Sequence, residues 1–276
     1  MREALIDGAR HLADAGVPGA ARDVRLLMES LFDDIAPGML ILHMDRRLDD
    51  AETRLWHQLL NDRKARKPVS KILRSRTFWR HSFLVTEDTL DPRPETETLV
   101  SAALDRPFSR MLDLGTGTGC ILLSCLADMP GATGLGTDIS TEALKIAATN
   151  AQRLQLSHRA DFQKADWLVS IPGRFDLITS NPPYIAAAEL AALEPEVHLW
   201  EPHVALTPGG DGLDAYRVIA RDAPQHLAPG GRLIVEIGPT QGAAVAAIFV
   251  AAGLARPVIR PDMDGRDRIV MADAAG

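Results

Sequence analysis

The stretch Leu112 to Cys120, "LDLGTGTGC", decides the fold. An apolar run, "RMLDLG", ends in three alternating glycines and passes into "TGCILLSCLADM", which reads as a helix. A strand that turns through glycines into a helix is the opening unit of an α/β sheet, and such sheets bind ligands at this turn. Gly115, Gly117 and Gly119 let the backbone approach a ligand closely. Their G-x-G-x-G spacing is not the dinucleotide fingerprint, and without a lysine the loop is no phosphate cradle. A tight packing turn would use the same glycines.

Outward from the loop, the next strand "GLGTD" ends in Asp138. A carboxylate there accepts hydrogen bonds from both hydroxyls of a ribose. It also precedes the helix "STEALKIAATNAQRL", so a helix cap is the plainer reading. Taken together, loop and carboxylate point to a nucleoside. S-adenosylmethionine suits best, since it carries ribose and adenine but no phosphate, and Asp113 can receive its ammonium group through water or neighbours. NAD is the rival.

Strands and helices continue to alternate: "ADFQKAD", "FDLITSNPP", a helix from about 212 to 227, "GRLIVEIG", a helix around "QGAAVAAIFVAAG", and "DRIVMA". That order predicts an α/β sheet with helices on both faces over 98–276. Residues 1–67 read as a small helical domain, with "LDDAETRLWHQLLNDRKAR" starting at an aspartate cap. Residues 68–97, with "TFWRHSFLVTEDTL", read as an extended β-hairpin linker.

The run "FDLITS" ends in Asn181-Pro182-Pro183-Tyr184. The prolines stiffen the turn, and Pro182 pushes Asn181 out of the helical region. The Asn181 side-chain oxygen and the carbonyl that follows are then two preset acceptors, and Tyr184 offers a flat face. Together they make a clamp for a planar group bearing an NH2, aiming its weak lone pair at an electrophile. A proline-rich strand exit is the plain alternative. Trp167, in "ADWL", is a lone aromatic after a short strand and can be read as a core residue.

Composition narrows the classes. The chain has 276 residues, 46% hydrophobic, a net charge of −7 and two cysteines. That excludes a general nucleic-acid binder, a disulfide framework and a cysteine metal cluster. No apolar leader or membrane-length run occurs, so a cytoplasmic protein is expected; a monomer is expected as well. The basic residues between Arg63 and Arg80 run against the acidic average. They read either as a solvated face or as a docking surface for an acidic partner.

"DLGTGTG", Asp138 and "NPPY", in this order, resemble class I methyltransferases of planar amino groups. With "PRPETE", "WEPHVAL", "GGDGLDAY" and "GRDR", nearly the whole chain resembles the protein-(glutamine-N5) methyltransferases that act on peptide chain release factors. The resemblance implies a Rossmann-like, mostly parallel sheet with an antiparallel last strand, preceded by a small helical docking domain. It also implies methyl transfer from S-adenosylmethionine, giving S-adenosylhomocysteine, to the glutamine of a Gly-Gly-Gln loop in class 1 release factors. Gly115, Thr116, Gly117, Thr118 and Gly119 would wrap the methionine end and Asp138 the ribose. Trp167 would lie beside the adenine, with Asp166 near its amino group. Asn181 would touch both cofactor and substrate, and Asn181, Pro182, Pro183 and Tyr184 would grip the glutamine amide. Arg93, Glu95 and Glu97 would order the linker and the pocket rim. The chain departs from the family at "KILR", "TFWR" and Asp91, all in the linker. A ribosomal-protein glutamine and an exocyclic amine of a nucleic-acid base are the alternative substrates; no metal, membrane or direct nucleic-acid contact is implied.

Overall fold

The computed structural model describes residues 1–36 and 38–275. It divides into two units, Met1–Arg74 with Glu194–Trp200, and Ser75–Leu193 with Glu201–Gly276.

The first unit is helical: α1 (Arg2–Asp14), α2 (Ala20–Glu29), α3 (Asp50–Lys64) and α4 (Val69–Leu73). Leu12, Val24, Leu27, Met28, Trp56 and Leu60 recur at helical spacing and close one apolar core. The Asp49 side chain accepts from the Ala51 and Glu52 amides, and Glu52 returns a bond to Asp49 N. This capping box starts α3 where the sequence places its cap. Residues 69–73 correct the extended reading of the linker, because they form a helical turn with buried Ser70 and Lys71.

Three cations of the basic run, Arg63, Arg66 and Lys71, depart from both readings offered for it, while Lys64, Arg74 and Arg80 are exposed. Arg63 is 5% exposed; it donates to Asp23 at 2.7 Å and to Glu196 at 2.9 Å. Arg66 adds a 2.6 Å bond to Glu196, and Lys71 Nζ donates to the Trp200 carbonyl. Burial alone would raise the Glu196 carboxyl, but bonds from Arg66 and Arg63 carry it below its ordinary value. These cations therefore belong to the unit's interior. Truncating one strands the carboxylates it pairs. Arg63→Ala is expected to destabilise this unit by about 3 kcal/mol, read as a lower denaturation midpoint at unchanged slope. A shift near zero would mean that water replaces the arginine.

The second unit opens with a hairpin, β1 (Arg76–Phe78) and β2 (His81–Phe83), whose Phe78 and Phe83 rings meet edge to face. It continues with α5 (Glu97–Leu104), β3 (Arg110–Leu114), α6 (Cys120–Asp128), β4 (Thr133–Asp138), α7 (Thr141–Arg153), β5 (Ala160–Lys164) and β6 (Phe175–Ser180). After α8 (Pro195–His198), which belongs to the first unit, come α9 (His203–Leu206), α10 (Asp214–His226), β7 (Leu227–Glu236), α11 (Gly242–Ala251), β8 (Ala255–Pro261) and β9 (Asp267–Asp273).

Seven strands form one sheet in the order β5-β4-β3-β6-β7-β9-β8. The pairs up to β7 are parallel and β9 runs antiparallel to both neighbours. Successive residues alternate between two apolar layers, as period-two side chains must. Met111, Leu177, Ile234 and Ile269 pack with buried residues of α5 and α6 on one layer. Leu112, Ile178, Leu233, Val235 and Val270 pack with those of α10 and α11 on the other. The chain leaves β3 for β4 on one side and later lays β6 on the other. That reversal opens a crevice at the carboxyl ends of β3 and β6, where open sheets bind ligands.

Besides α4 and the short helices α8 and α9, helix α5 and strand β8 are not legible in the sequence. Helix α5 directly follows the proline-rich "PRPETE". Strand β8 carries Pro257 and Pro261, which argue against a central strand, and it indeed lies at the edge.

Candidate active site

The crevice holds a cavity of about 410 Å3, lined by Gly115, Thr116, Gly117 and Thr118 after β3, Asp138 after β4, and Asn181 and Pro183 after β6. Asp166 and Trp167 close another side, and Arg93 and Thr96 come from the segment before α5. The topology thus brings together most of the residues singled out in the sequence.

The glycine loop is shaped by two different constraints. Gly115 has φ +67 with nothing within 4 Å of where a Cβ would stand, so its backbone is bare toward open space. Gly119, outside the cavity lining, has φ +79; a Cβ there would meet Leu123 at 3.1 Å and Ala147 at 3.3 Å. It packs the start of α6 closely and does not face the cavity. The packing reading fits Gly119, and the open space at Gly115 leaves room for a ligand to approach.

Asp113 lies beneath the loop, fully buried, and is absent from the cavity wall. Its two oxygens accept from Thr116 Oγ1 and Thr179 Oγ1, both at 2.7 Å. Burial raises the carboxyl to about 6, against those two bonds, which lower it. Asp113 therefore has no direct face on the cavity and reaches its wall only through neighbours such as Thr116. Asn150 of α7 ties the loop from the other side. It exchanges both amide groups with Leu84 and donates to the Thr118 carbonyl at 2.9 Å.

Asp138 does double duty. Oδ2 accepts from Gly117 N and Oδ1 from Ser140 N, each at 2.9 Å. The Ser140 bond belongs to the start of α7, whose N-cap is Ser140 itself. Each oxygen keeps a further lone pair for a ligand. Burial raises the Asp138 carboxyl above its ordinary value. Trp167 sits in the left-handed region at φ 53, half-buried, against the apolar layer that carries Leu112 and Ile178, while also lining the cavity. A bulky residue held there carries backbone strain, which clusters at functional sites.

The Asn181–Tyr184 turn is held firmly. Tyr184 O accepts from Gln241 Nε2 at 2.9 Å, and Ile185 N donates to Leu206 O at 3.0 Å. Asn181 and Pro183 face the cavity, whereas buried Pro182 and the Tyr184 side chain are outside its lining. Burial, then the nearby Glu236, pushes the Tyr184 hydroxyl up to about 12. Arg93 donates to buried Glu201 at 2.9 Å, and Glu97 accepts from Trp79 N at 2.7 Å in the hairpin turn. "PRPETE" thus fixes the hairpin and one wall of the cavity.

Sequence reading missed Thr96, Asn150 and Glu236. Glu236 left a signal: it interrupts the buried run Leu233-Ile234-Val235-Glu236-Ile237, where a carboxylate is out of place.

The electrostatics of the wall select among ligands. Its charged side chains are Asp88, Asp138, Asp166 and Asp214 against a single Arg93. An acidic, partly apolar cavity with a bare glycine loop fits a cationic nucleoside without phosphates and disfavours a pyrophosphate.

The comparisons with known proteins agree. Residues 76–213 match the family model described as methyltransferase small domain, and 3–73 match that described as PrmC N-terminal domain. The release factor glutamine methyltransferase of Cereibacter sphaeroides is 54% identical over 270 residues, covering 98% of this chain and 97% of that one. That of Rhodospirillum rubrum is 47% identical, covering 97% and 83%. Among solved structures, the hMettl16 catalytic domain bound to the MAT2A 3'UTR hairpin 6 superposes with TM-score 0.58 at 18% identity, covering 70% of this chain and 74% of that one. A Pyrococcus furiosus methyltransferase superposes with TM-score 0.54 at 14% identity, covering 70% and 89%. These two show the fold alone: a Rossmann-like methyltransferase sheet.

Proposed function

Because this chain belongs to the release factor glutamine methyltransferases, we propose that it methylates the side-chain amide nitrogen of the glutamine in a release factor's Gly-Gly-Gln loop. Among structural features, the observation that carries this reading is the meeting of Asn181 and Asp138 at one acidic cavity. S-adenosylmethionine supplies the electrophile, a methyl group on a sulfonium whose sulfur leaves with the bonding pair.

The chain's residues divide the work. Gly115 to Thr118 and Asp138 hold the methionine end and the ribose, with Gly119 setting the start of α6, and Trp167 and Asp166 hold the adenine. Asn181 Oδ1 and the carbonyl that follows accept the two N–H bonds of the glutamine amide. That fixes the nitrogen in line and leaves its lone pair as the attacking group. A nitrogen–carbon bond forms as the carbon–sulfur bond breaks, and the acceptors stabilise the positive charge growing on nitrogen. The proton leaves after the methyl arrives, so no general base is needed beforehand. A glutamate in place of glutamine would face two acceptors with a carboxylate, which leaves buried groups unpaired.

We assign 1–67 to substrate docking, 68–97 to the linker and 98–276 to transfer. The helical content of the first unit and the hairpin between Arg76 and Phe83 support this division. The two cysteines are buried and free, which fits a reducing, cytoplasmic setting.

The decisive assay is methyl transfer from labelled S-adenosylmethionine to a purified release factor, with a loop glutamine-to-alanine factor as control. Label in the first and none in the second is expected. Label in neither, with S-adenosylhomocysteine still raising the melting temperature, would move the substrate to a ribosomal protein or a nucleic acid.

A further inference from the structure

Behind Asn181 lies a short polar chain that the transfer step does not use. Asn181 Nδ2 donates to Thr96 Oγ1 at 3.2 Å. A hydroxyl that accepts one bond still has its own proton to give. The Glu236 carboxyl lies against the side chains of both Thr96 and Asn181, and its Oε2 has no other partner. Thr96 and Glu236 are 2% and 1% exposed, so this polarity is built into the interior. The Thr96 hydroxyl has no evident structural duty: Thr96 is the N-cap residue of α5, yet its side chain makes no capping bond.

We propose that Thr96, backed by Glu236, is a positioning residue for methyl transfer: it draws the Asn181 NH2 inward and leaves Oδ1 as the atom presented at the cavity. An asparagine amide has two orientations of nearly equal shape, and only one presents an acceptor. In the other, an NH2 would face the NH2 of the substrate, donor against donor. Two acceptors on the inner side decide between them before the substrate arrives. The arrangement carries a cost, since burial pushes Glu236 up to about 7 against the Thr96 bond and the Arg268 charge. A buried carboxyl retained on those terms marks a functional neighbourhood.

This inference rests on the reading of Asn181 as the clamp, and the experiment separates the two. Thr96→Val keeps the shape and removes the hydroxyl. It is expected to lower kcat roughly tenfold, with KM, cofactor Kd and melting temperature near wild type. Thr96→Ser, which restores the hydroxyl, should recover most of the rate. Glu236→Gln can turn its own NH2 toward the hydroxyl and should lower kcat in the same direction. In an Asn181→Ala background, Thr96→Val should add no further loss, because the group it orients is gone. A wild-type kcat for Thr96→Val overturns the proposal, as does an undiminished tenfold loss in the Asn181→Ala background. If Asn181→Ala itself keeps the wild-type kcat, the clamp reading fails first, and the proposal falls with it.

Discussion

Asn181→Ala is expected to reduce kcat by about 10²- to 10³-fold, while cofactor affinity changes no more than about threefold. The asymmetry follows from when the interaction matters. The amide lone pair of glutamine is conjugated and weakly nucleophilic, so ground-state contact alone accelerates nothing. The acceptor gains strength as positive charge grows on nitrogen, and that gain is what the alanine loses. The turn itself should survive, since its backbone is held through Tyr184 O and Ile185 N and not through the Asn181 side chain. Single-turnover rates at saturating cofactor, with Kd from calorimetry, separate the two quantities. Equal losses in both would make Asn181 chiefly a cofactor ligand.

Asp138→Ala is expected to act on the other quantity. The two ribose hydroxyl contacts proposed for Asp138 and its brace to Gly117 N depend on one carboxylate. Losing them together is worth about 3–4 kcal/mol, or a few hundredfold in cofactor Kd, with kcat at saturation changed far less. Asp138→Asn discriminates the two duties. Asparagine caps a helix as well as aspartate does, but its amide offers one acceptor where two are needed. If capping were the whole role, Asp138→Asn would bind cofactor like wild type. A pH test follows from burial, which raises this carboxyl. The accepting form is the carboxylate, present above the raised value. Cofactor affinity should therefore weaken on acidification at a higher pH than an ordinary aspartate would dictate. Asp138→Asn should lack that component, and identical pH profiles for both would remove Asp138 from the ribose.

The parts of the site legible in the sequence are those written in consecutive residues. Glycines at 115, 117 and 119, an aspartate closing the next strand and an asparagine before two prolines each constrain their own backbone. Local sterics and alternating polarity declare them wherever the chain goes. The same locality explains why the strands and most of the helices were readable, since period-two and period-3.6 patterns report which face is buried. It also explains the misses at α5 and β8, where prolines next to or inside the element suppress the local pattern.

Side chains whose role lies in a distant partner were not legible. The basic run from Arg63 reads as a surface because charge in sequence carries no information about burial; Asp23 and Glu196 draw Arg63 and Arg66 inward, while Arg74 and Arg80 stay exposed. That Asp113 lies beneath the loop, bound to Thr116 and Thr179, is likewise invisible in its own segment. Thr96, Asn150 and Glu236 drew no attention at all. Each is an ordinary residue within its own segment, and each gains its meaning only where α5, α7 or β7 meets the carboxyl ends of β3 and β6. By itself the sequence determined the order of most strands and helices, the glycine loop and the stiff Asn181–Tyr184 turn, because those depend on backbone conformation within a few residues. Only the tertiary structure decided which polar groups support them, because a hydrogen bond between residues 85 positions apart, such as that from Asn181 to Thr96, exists only once the chain has closed upon itself.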